Sequence, residues 1–290
     1  MVAEAAYDAC LRVARQHYEN FPVASRLMPP ACRPHIAAIY AFARMADDVA
    51  DEGTGSGASR LARLQHLRDR LHAAAAGQPQ PDDAGDPDVS QIFTALSATM
   101  TIHRLNVGLF EDLLSAFQQD VVTTRYESWG KLLDYCRRSA NPIGRLVLAV
   151  TGYRDDELDR RSDAVCTALQ LTNFWQDLER DWLKGRLYLP LEILRAAGAD
   201  ERDLDSRRLT PAWRTALHEV SNRTRRLFVD GRPVADGVKG RLKWELRATW
   251  LGGMRILDRL EATDFDVFRR RPTLGVVDAA AIVGRVLVWR

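Results

Sequence analysis

The sequence predicts an all-α fold. Apolar residues recur with a helical period through most of its 290 residues, glycine and proline fall mainly between the periodic segments, and no Asn-Gly turn joins two strand-like runs. In chain order the periodicity places helices over 3–18, 31–52 and 58–76, then over 88–100 and 106–119. The segment 128–149 contains Pro142 and Gly144 and is expected to kink or break there, because proline cannot donate the interior hydrogen bond. Helices follow over 156–183, 190–197, 210–229, 237–262 and 273–288. The breaker-rich stretch GQPQPDDAGDPD at 77–88 reads as an exposed loop rather than a linker, since similar helices continue on both sides. With no repeat of fixed period, one domain over 1–290 is the economical organisation.

Composition narrows the function. Forty-one basic side chains stand against 39 acidic ones, a formal charge of +2 that argues against a nucleic-acid-binding protein. A 46% hydrophobic share belongs to a globular chain rather than a disordered one. No apolar run approaches the roughly 18 residues that span a bilayer. Acids near the start and the lack of an uninterrupted apolar core argue against a secretory signal, so a soluble, cytoplasmic chain is expected. Cys10, Cys32, Cys136 and Cys166 form no CxxC pair and read as small buried hydrophobes in a reducing compartment. The glycines of GTGSGAS (53–59) follow a helix and lack the Lys-Ser/Thr of a P-loop, which makes them a flexible turn. Neither HExxH nor GxSxG occurs. The basic clusters at Arg223, Arg225 and Arg226, and at Arg269 to Arg271, read as solvated faces.

Two segments carry the candidate chemistry. In YAFARMADDVAD, Asp47 and Asp51 are four residues apart with Asp48 beside the first; in QLTNFWQDLERDWLKGRLYLP, Asn173, Asp177 and Asp181 recur every four residues. A step of four advances about 40° around a helix, so the latter three share a sector of roughly 80°. Taken alone, either pair could be a solvated acidic face, at a cost of roughly 0.2–0.5 kcal/mol per like-charged i, i+4 pair. The apolar neighbours argue instead for burial: Tyr40, Phe42, Ala46 and Val49 around the first group, Phe174, Trp175, Leu178 and Trp182 around the second. Buried carboxylates need a cation, and carboxylate and amide oxygens are hard ligands suited to Mg²⁺. Two such faces confronting each other across a helical bundle would hold Mg²⁺ with positions open to phosphate oxygens, with Arg44, Lys184 and Arg186 as further cations. That constellation serves departure of a diphosphate, with an apolar cavity to shelter the carbocation left behind.

These motifs resemble those of the squalene/phytoene synthase family over most of the chain. The family's Tyr-Ala-x-x-Arg before Asp-x-x-x-Asp is met by Tyr40, Arg44, Asp47 and Asp51. Its Gln-x-x-Asn before the second acid motif is met by Gln170, Asn173, Asp177 and Asp181, followed by Gly185-Arg186-x-Tyr188, and YCRRSANPIG (135–144) is similar to a further family segment. The resemblance implies an isoprenoid synthase fold with a central apolar cavity. It also implies a metal site of Asp47, Asp48, Asp51, Asn173, Asp177 and Asp181, with Asp47, Asp51, Asp177 and Asp181 catalytic. Tyr40, Arg44, Gln170, Lys184, Arg186, Phe21 and Phe265 are the implied substrate contacts. Phe21, Phe42, Trp175 and Phe265 either line the cavity, where aromatic faces attract a cation, or simply fill the core.

Departures refine the expectation. Tyr18 and Asn20 stand where serines are common, Asn141-Pro142 where Ala-Gly is usual, Phe265 where tyrosine is frequent, and Gln176 where an arginine often precedes the motif, removing one diphosphate donor. Together HYENFPVAS, NPIG and NFWQD resemble the hydroxysqualene synthase branch found in bacterial hopanoid pathways. That implies water capture of a cation derived from presqualene diphosphate, with Mg²⁺ and without NADPH; whether a presqualene diphosphate synthase hands over the substrate is left open by the sequence. The rival activity is condensation of two prenyl diphosphates to presqualene diphosphate, squalene or phytoene. A non-catalytic helical assembly factor is the alternative of another class. The C-terminal VVDAAAIVGRVLVWR (276–290) is either a final core helix or a peripheral membrane contact with Trp289 at the interface.

Overall fold

The computed structural model describes residues 2–16, 27–51, 55–80 and 87–289. Phe21 and all of HYENFPVAS lie outside the described residues. Among those described the regular elements are helical, apart from one isolated parallel bridge between Arg125 and Leu187. In chain order they are α1 (Val2–Gln16), a 3-10 turn (Pro30–Cys32), α2 (Arg33–Asp51), α3 (Gly57–Ala75), α4 (Pro87–His103) and α5 (Val107–Val122). Then come α6 (Trp129–Ser139), α7 (Asn141–Val150), α8 (Asp156–Gln176), α9 (Leu178–Leu183), α10 (Leu191–Ala197) and a second 3-10 turn (Glu201–Ser206). The last are α11 (Pro211–Gly231), α12 (Val234–Gly237), α13 (Gly240–Ala262) and α14 (Val276–Leu287).

Two departures from the expected helices have local causes. The 128–149 segment breaks at Ala140, just ahead of Pro142, as proline requires. The expected helix 156–183 also divides, at Asp177, whose φ of −101° and ψ of 13° leave the α region. Its hydrogen bonds nevertheless run on: Asp177 N–H donates to the Asn173 carbonyl (2.8 Å) and Asp181 N–H to the Asp177 carbonyl (2.9 Å). The four-residue spacing of the motif is therefore kept across the bend.

The chain forms two compact units, Met1–Val122 with Pro142–Asp159, and Thr123–Asn141 with Arg160–Arg290. In the first, α2 packs against α1, α3, α4 and α5. Its buried residues include Ile36 to Ile39, Ala41, Phe42, Ala46, Val49 and Ala50. Phe42 meets Phe93 and Phe110 edge-on, at 5.9 and 5.6 Å between centroids, contacts each contributing about 0.5–1.5 kcal/mol beyond area burial. The Arg60 guanidinium caps the end of α2 by donating to the Ala50 carbonyl.

In the second unit α8, α11 and α13 meet around Trp175, Phe228 and Leu257, all fully buried. The Trp175 indole donates to the Thr224 hydroxyl at 2.9 Å, and the Trp250 indole to the Phe228 carbonyl at 2.7 Å. Gly253 permits this approach: a Cβ there would stand 2.6 Å from both Leu169 and Phe228. Helix α14 lies on α13.

Candidate active site

Burial sorts α2 into a packed body and one half-open stripe. From Ile36 to Asp51 the positions not buried are Tyr40, Ala43, Arg44, Met45, Asp47, Asp48 and Asp51, so the expected residues fall where the helix leaves its core. Arg44 pairs with Asp48 and stands 3.6 Å from Asp47. Asp47 lies at the half-open edge of the core, and partial burial, first, and then the neighbouring Asp51 push its carboxyl up to about 7, with Asp120 and Asp48 adding to the rise and Arg44 opposing it. Asp120, buried on α5, is thus a fourth acid of this group. Its sequence context, Gln-Gln-Asp-Val at 118–121, carries no motif that could have announced it.

The second motif behaves alike within its own unit. From Gln170 to Leu178 only Gln170, Asn173 and Asp177 are not buried. Asp177 accepts a forked pair of hydrogen bonds from Arg271, at 2.5 Å from Nε and 2.8 Å from the terminal nitrogen, and Arg180 lies 3.5 Å away. Arg271 is therefore not part of a solvated face; it is turned inward from the segment between α13 and α14. Asp181 sits on α9, and its carbonyl accepts the Arg186 N–H at 2.8 Å. Lys184 is exposed where α9 ends. The tail beyond it turns at Gly185, whose φ of 78° suits glycine, and is pinned by Leu187 N–H to the Thr124 carbonyl and Leu191 N–H to the Tyr126 carbonyl, both 2.9 Å. Tyr188 stacks on Phe174 at 3.8 Å, with Tyr126 and Tyr135 beside it. Among the described residues no ready set of three His, Cys, Asp or Glu ligands converges.

The other expected aromatics occupy packed positions. Phe42, Trp175 and Phe265 are each at most 1% exposed; Phe265 lies edge-on to His218 at 5.0 Å with a left-handed backbone (φ 59°). Two surface recesses on the second unit, one between α10 and α11 and one along α11, are lined by none of the expected site residues.

A family model described as squalene/phytoene synthase matches residues 14–277. The chain belongs to that family. It is 40% identical to a hydroxysqualene synthase of Zymomonas mobilis, covering 72% of this chain and 67% of the relative. It is 37% identical to a hydroxysqualene synthase of Rhodopseudomonas palustris, covering 88% and 84%. The solved structure titled squalene synthase HpnC from Alicyclobacillus acidocaldarius superposes with a TM-score of 0.82 at 37% identity, covering 91% of this chain and 95% of that one. Within this squalene/phytoene synthase, Gln176 has a structural task that its sequence position did not reveal. It is buried, and its amide donates to the Pro272 carbonyl at 2.5 Å. Neighbouring residues Gln176 and Asp177 thus grip neighbouring residues Pro272 and Arg271.

Proposed function

We propose that the protein is a hydroxysqualene synthase acting on presqualene diphosphate, and that residues 1–290 work as one synthase. The observation that carries this reading is the hydroxysqualene synthase identity of both bacterial relatives, which cover most of the chain. In the reaction the carbon–oxygen bond to diphosphate breaks and its electron pair leaves with the diphosphate. The cyclopropylcarbinyl cation rearranges, water bonds to the resulting cation, and one proton is lost to solvent.

The acids fit a hard divalent cation. Asp47 is pushed up to about 7 by partial burial and by the acids around it, and these clustered carboxylate oxygens are hard ligands of the kind that suit Mg²⁺. The candidate ligands are Asp47 and Asp51, with Asp48 as an auxiliary, in the first unit, and Asn173, Asp177 and Asp181 in the second. When bound, Mg²⁺ neutralises charge growing on a departing diphosphate. Arg44, Lys184 and Arg186 supply donors to the phosphoryl oxygens, and Tyr40 and Gln170 orient them. The stacked Phe174–Tyr188 pair with Tyr126 and Tyr135 is an aromatic surface of the kind that attracts a cation. No hydride enters the product, so NADPH is not required. An apolar substrate of this size is received from a presqualene diphosphate synthase or from lipid.

The test is incubation of purified protein with presqualene diphosphate in ¹⁸O-labelled water, with Mg²⁺ and without NADPH. Labelled hydroxysqualene is expected. Turnover of farnesyl diphosphate to a condensed product, with presqualene diphosphate left untouched, overturns the reading in favour of a condensing synthase.

A further inference from the structure

Helix α14 turns its charge inward and its hydrocarbon outward. Asp278 is completely buried, accepting from Arg255 at 2.8 Å and from the Gly275 N–H at 2.7 Å, with Arg259 2.6 Å away. Val286 is buried as well. On the outside Val276, Val277, Val283, Leu287 and Val288 are 63–89% exposed, with Ala280 and Gly284 among them. At about 100° per residue these seven positions fall in one continuous stripe. Isolated exposed hydrophobes are ordinary, but a whole apolar helix face needs a cover.

Charge identifies the cover. Between 267 and 289 the one acid is Asp278, and it is buried and paired, whereas Arg269, Arg270 and Arg285 are exposed. Arg269 leans on Asp266, and the nearby Asp236 is paired with Arg247, which leaves Arg285, on α14 itself, to set the sign of the rim. A second copy packed by two-fold symmetry would bring this basic rim against itself. An apolar stripe with an exposed arginine on the same helix matches a bilayer surface bearing anionic headgroups. No helix among the described residues is long and apolar enough to cross a membrane, so the contact is with the surface.

We propose that the outer face of α14 docks the protein on an anionic bilayer. Aliphatic side chains, and not the tryptophan, make the contact. Trp289 is held inward, donating to Asp236 at 3.3 Å, edge-on to Trp250 at 5.3 Å, and covered by Arg232 and Arg247. The Asp278 clamp keeps the inner face on α13 while the outer face enters lipid, so docking needs no unfolding. Its role in exchanging polyprenyl substrate and product rests on the hydroxysqualene synthase reading, but the contact itself does not.

The experiment is co-flotation of the full chain, without substrate, with phosphatidylcholine vesicles and with vesicles containing phosphatidylglycerol. Wild type is expected to float with the anionic vesicles and to be released by salt. The double variant V283E/L287E should bind at least tenfold more weakly with an unchanged melting temperature, and Arg285→Glu should weaken binding and its salt dependence. Diphosphate release in detergent should be unchanged in all three, which separates loss of docking from loss of chemistry. Equal flotation of wild type and V283E/L287E overturns the proposal. So does a vesicle-free dimer of wild type that V283E/L287E converts to monomer, since the cover is then a second copy.

Discussion

At Asp177 the two oxygens that a divalent cation would use are held by the Arg271 fork. Arg271→Gln should therefore lower metal-free stability by about 1–3 kcal/mol, the cost of leaving a half-buried carboxylate without its charged partner. Part of that loss should return when Mg²⁺ is added, to a greater extent than in wild type; melting curves with and without Mg²⁺ measure both effects, and an identical Mg²⁺ response in the two proteins counts against competition for Asp177. Asp47→Asn and Asp177→Asn keep shape while removing negative charge. Each should reduce diphosphate release at least about 10³-fold, ~4 kcal/mol in activation free energy, with the far-ultraviolet circular dichroism unchanged. At Gln176 the expectation shifts from substrate handling to stability. Arginine there would be buried next to Arg271 and would lose the contact with Pro272, so Gln176→Arg should melt earlier whether or not its product changes. The acids were legible because their spacing repeats; Arg271 was not. Three consecutive arginines do not say which one turns inward, and its partner lies 94 residues away in sequence.

At the scale of elements, proline marked the α6–α7 break in advance, while the α8–α9 bend at Asp177 has neither glycine nor proline to signal it. Likewise α14 showed an apolar pattern whose direction periodicity alone could not give; the Asp278 clamp decides it. Helix α13 depends on Gly253 for its approach to Phe228 and Leu169. Gly253→Ala should destabilise the fold by about 1–3 kcal/mol through overpacking, despite alanine's better helix propensity, as thermal or urea melting will show. The junction of α1, α2 and α4 adds a pH dependence. His35 and His103 lie 4.4 Å apart between ring centroids. Tyr7 and Thr99 lie within hydrogen-bond distance of His35, and Arg154 donates to the His103 carbonyl. Burial holds both imidazoles below the usual value, reinforced by His103 at His35 and by Arg154 at His103. On acidification the unfolded chain therefore binds protons first. This stability is fully present above about pH 6.5 and is lost as pH falls through the folded values. Melting temperature should drop between pH 7 and pH 5, and replacing both histidines by asparagine should flatten that part of the profile.

For the molecule as a whole, helical periodicity and the two acid motifs were enough to indicate the fold and the family, because both are written in short-range spacing. What the sequence left open depends on long-range packing: which aromatics are core, that Asp120 joins Asp47, and which face of α14 is dry. Whether the two acid motifs serve one diphosphate has a kinetic signature. The Asp47→Asn/Asp177→Asn double variant should be hardly slower than either single variant, because groups that act together are lost together. Multiplying losses would mean that the two motifs act in separate steps; single-turnover diphosphate release distinguishes these outcomes.

The grip of Gln176 and Asp177 on Pro272 and Arg271 makes residues 263–275 a mechanical link between an acid motif and the helix that follows. Arg259 adds a third fastening, donating to the Thr273 carbonyl at 2.8 Å, and α14 begins three residues later. If cation binding at Asp177 loosens the Arg271 fork, the free energy released or absorbed there is shared with whatever α14 touches. Reciprocity then requires the reverse: engagement of α14 must shift cation affinity by the same factor. A fluorophore placed at the exposed Arg269 would report either event from the other side.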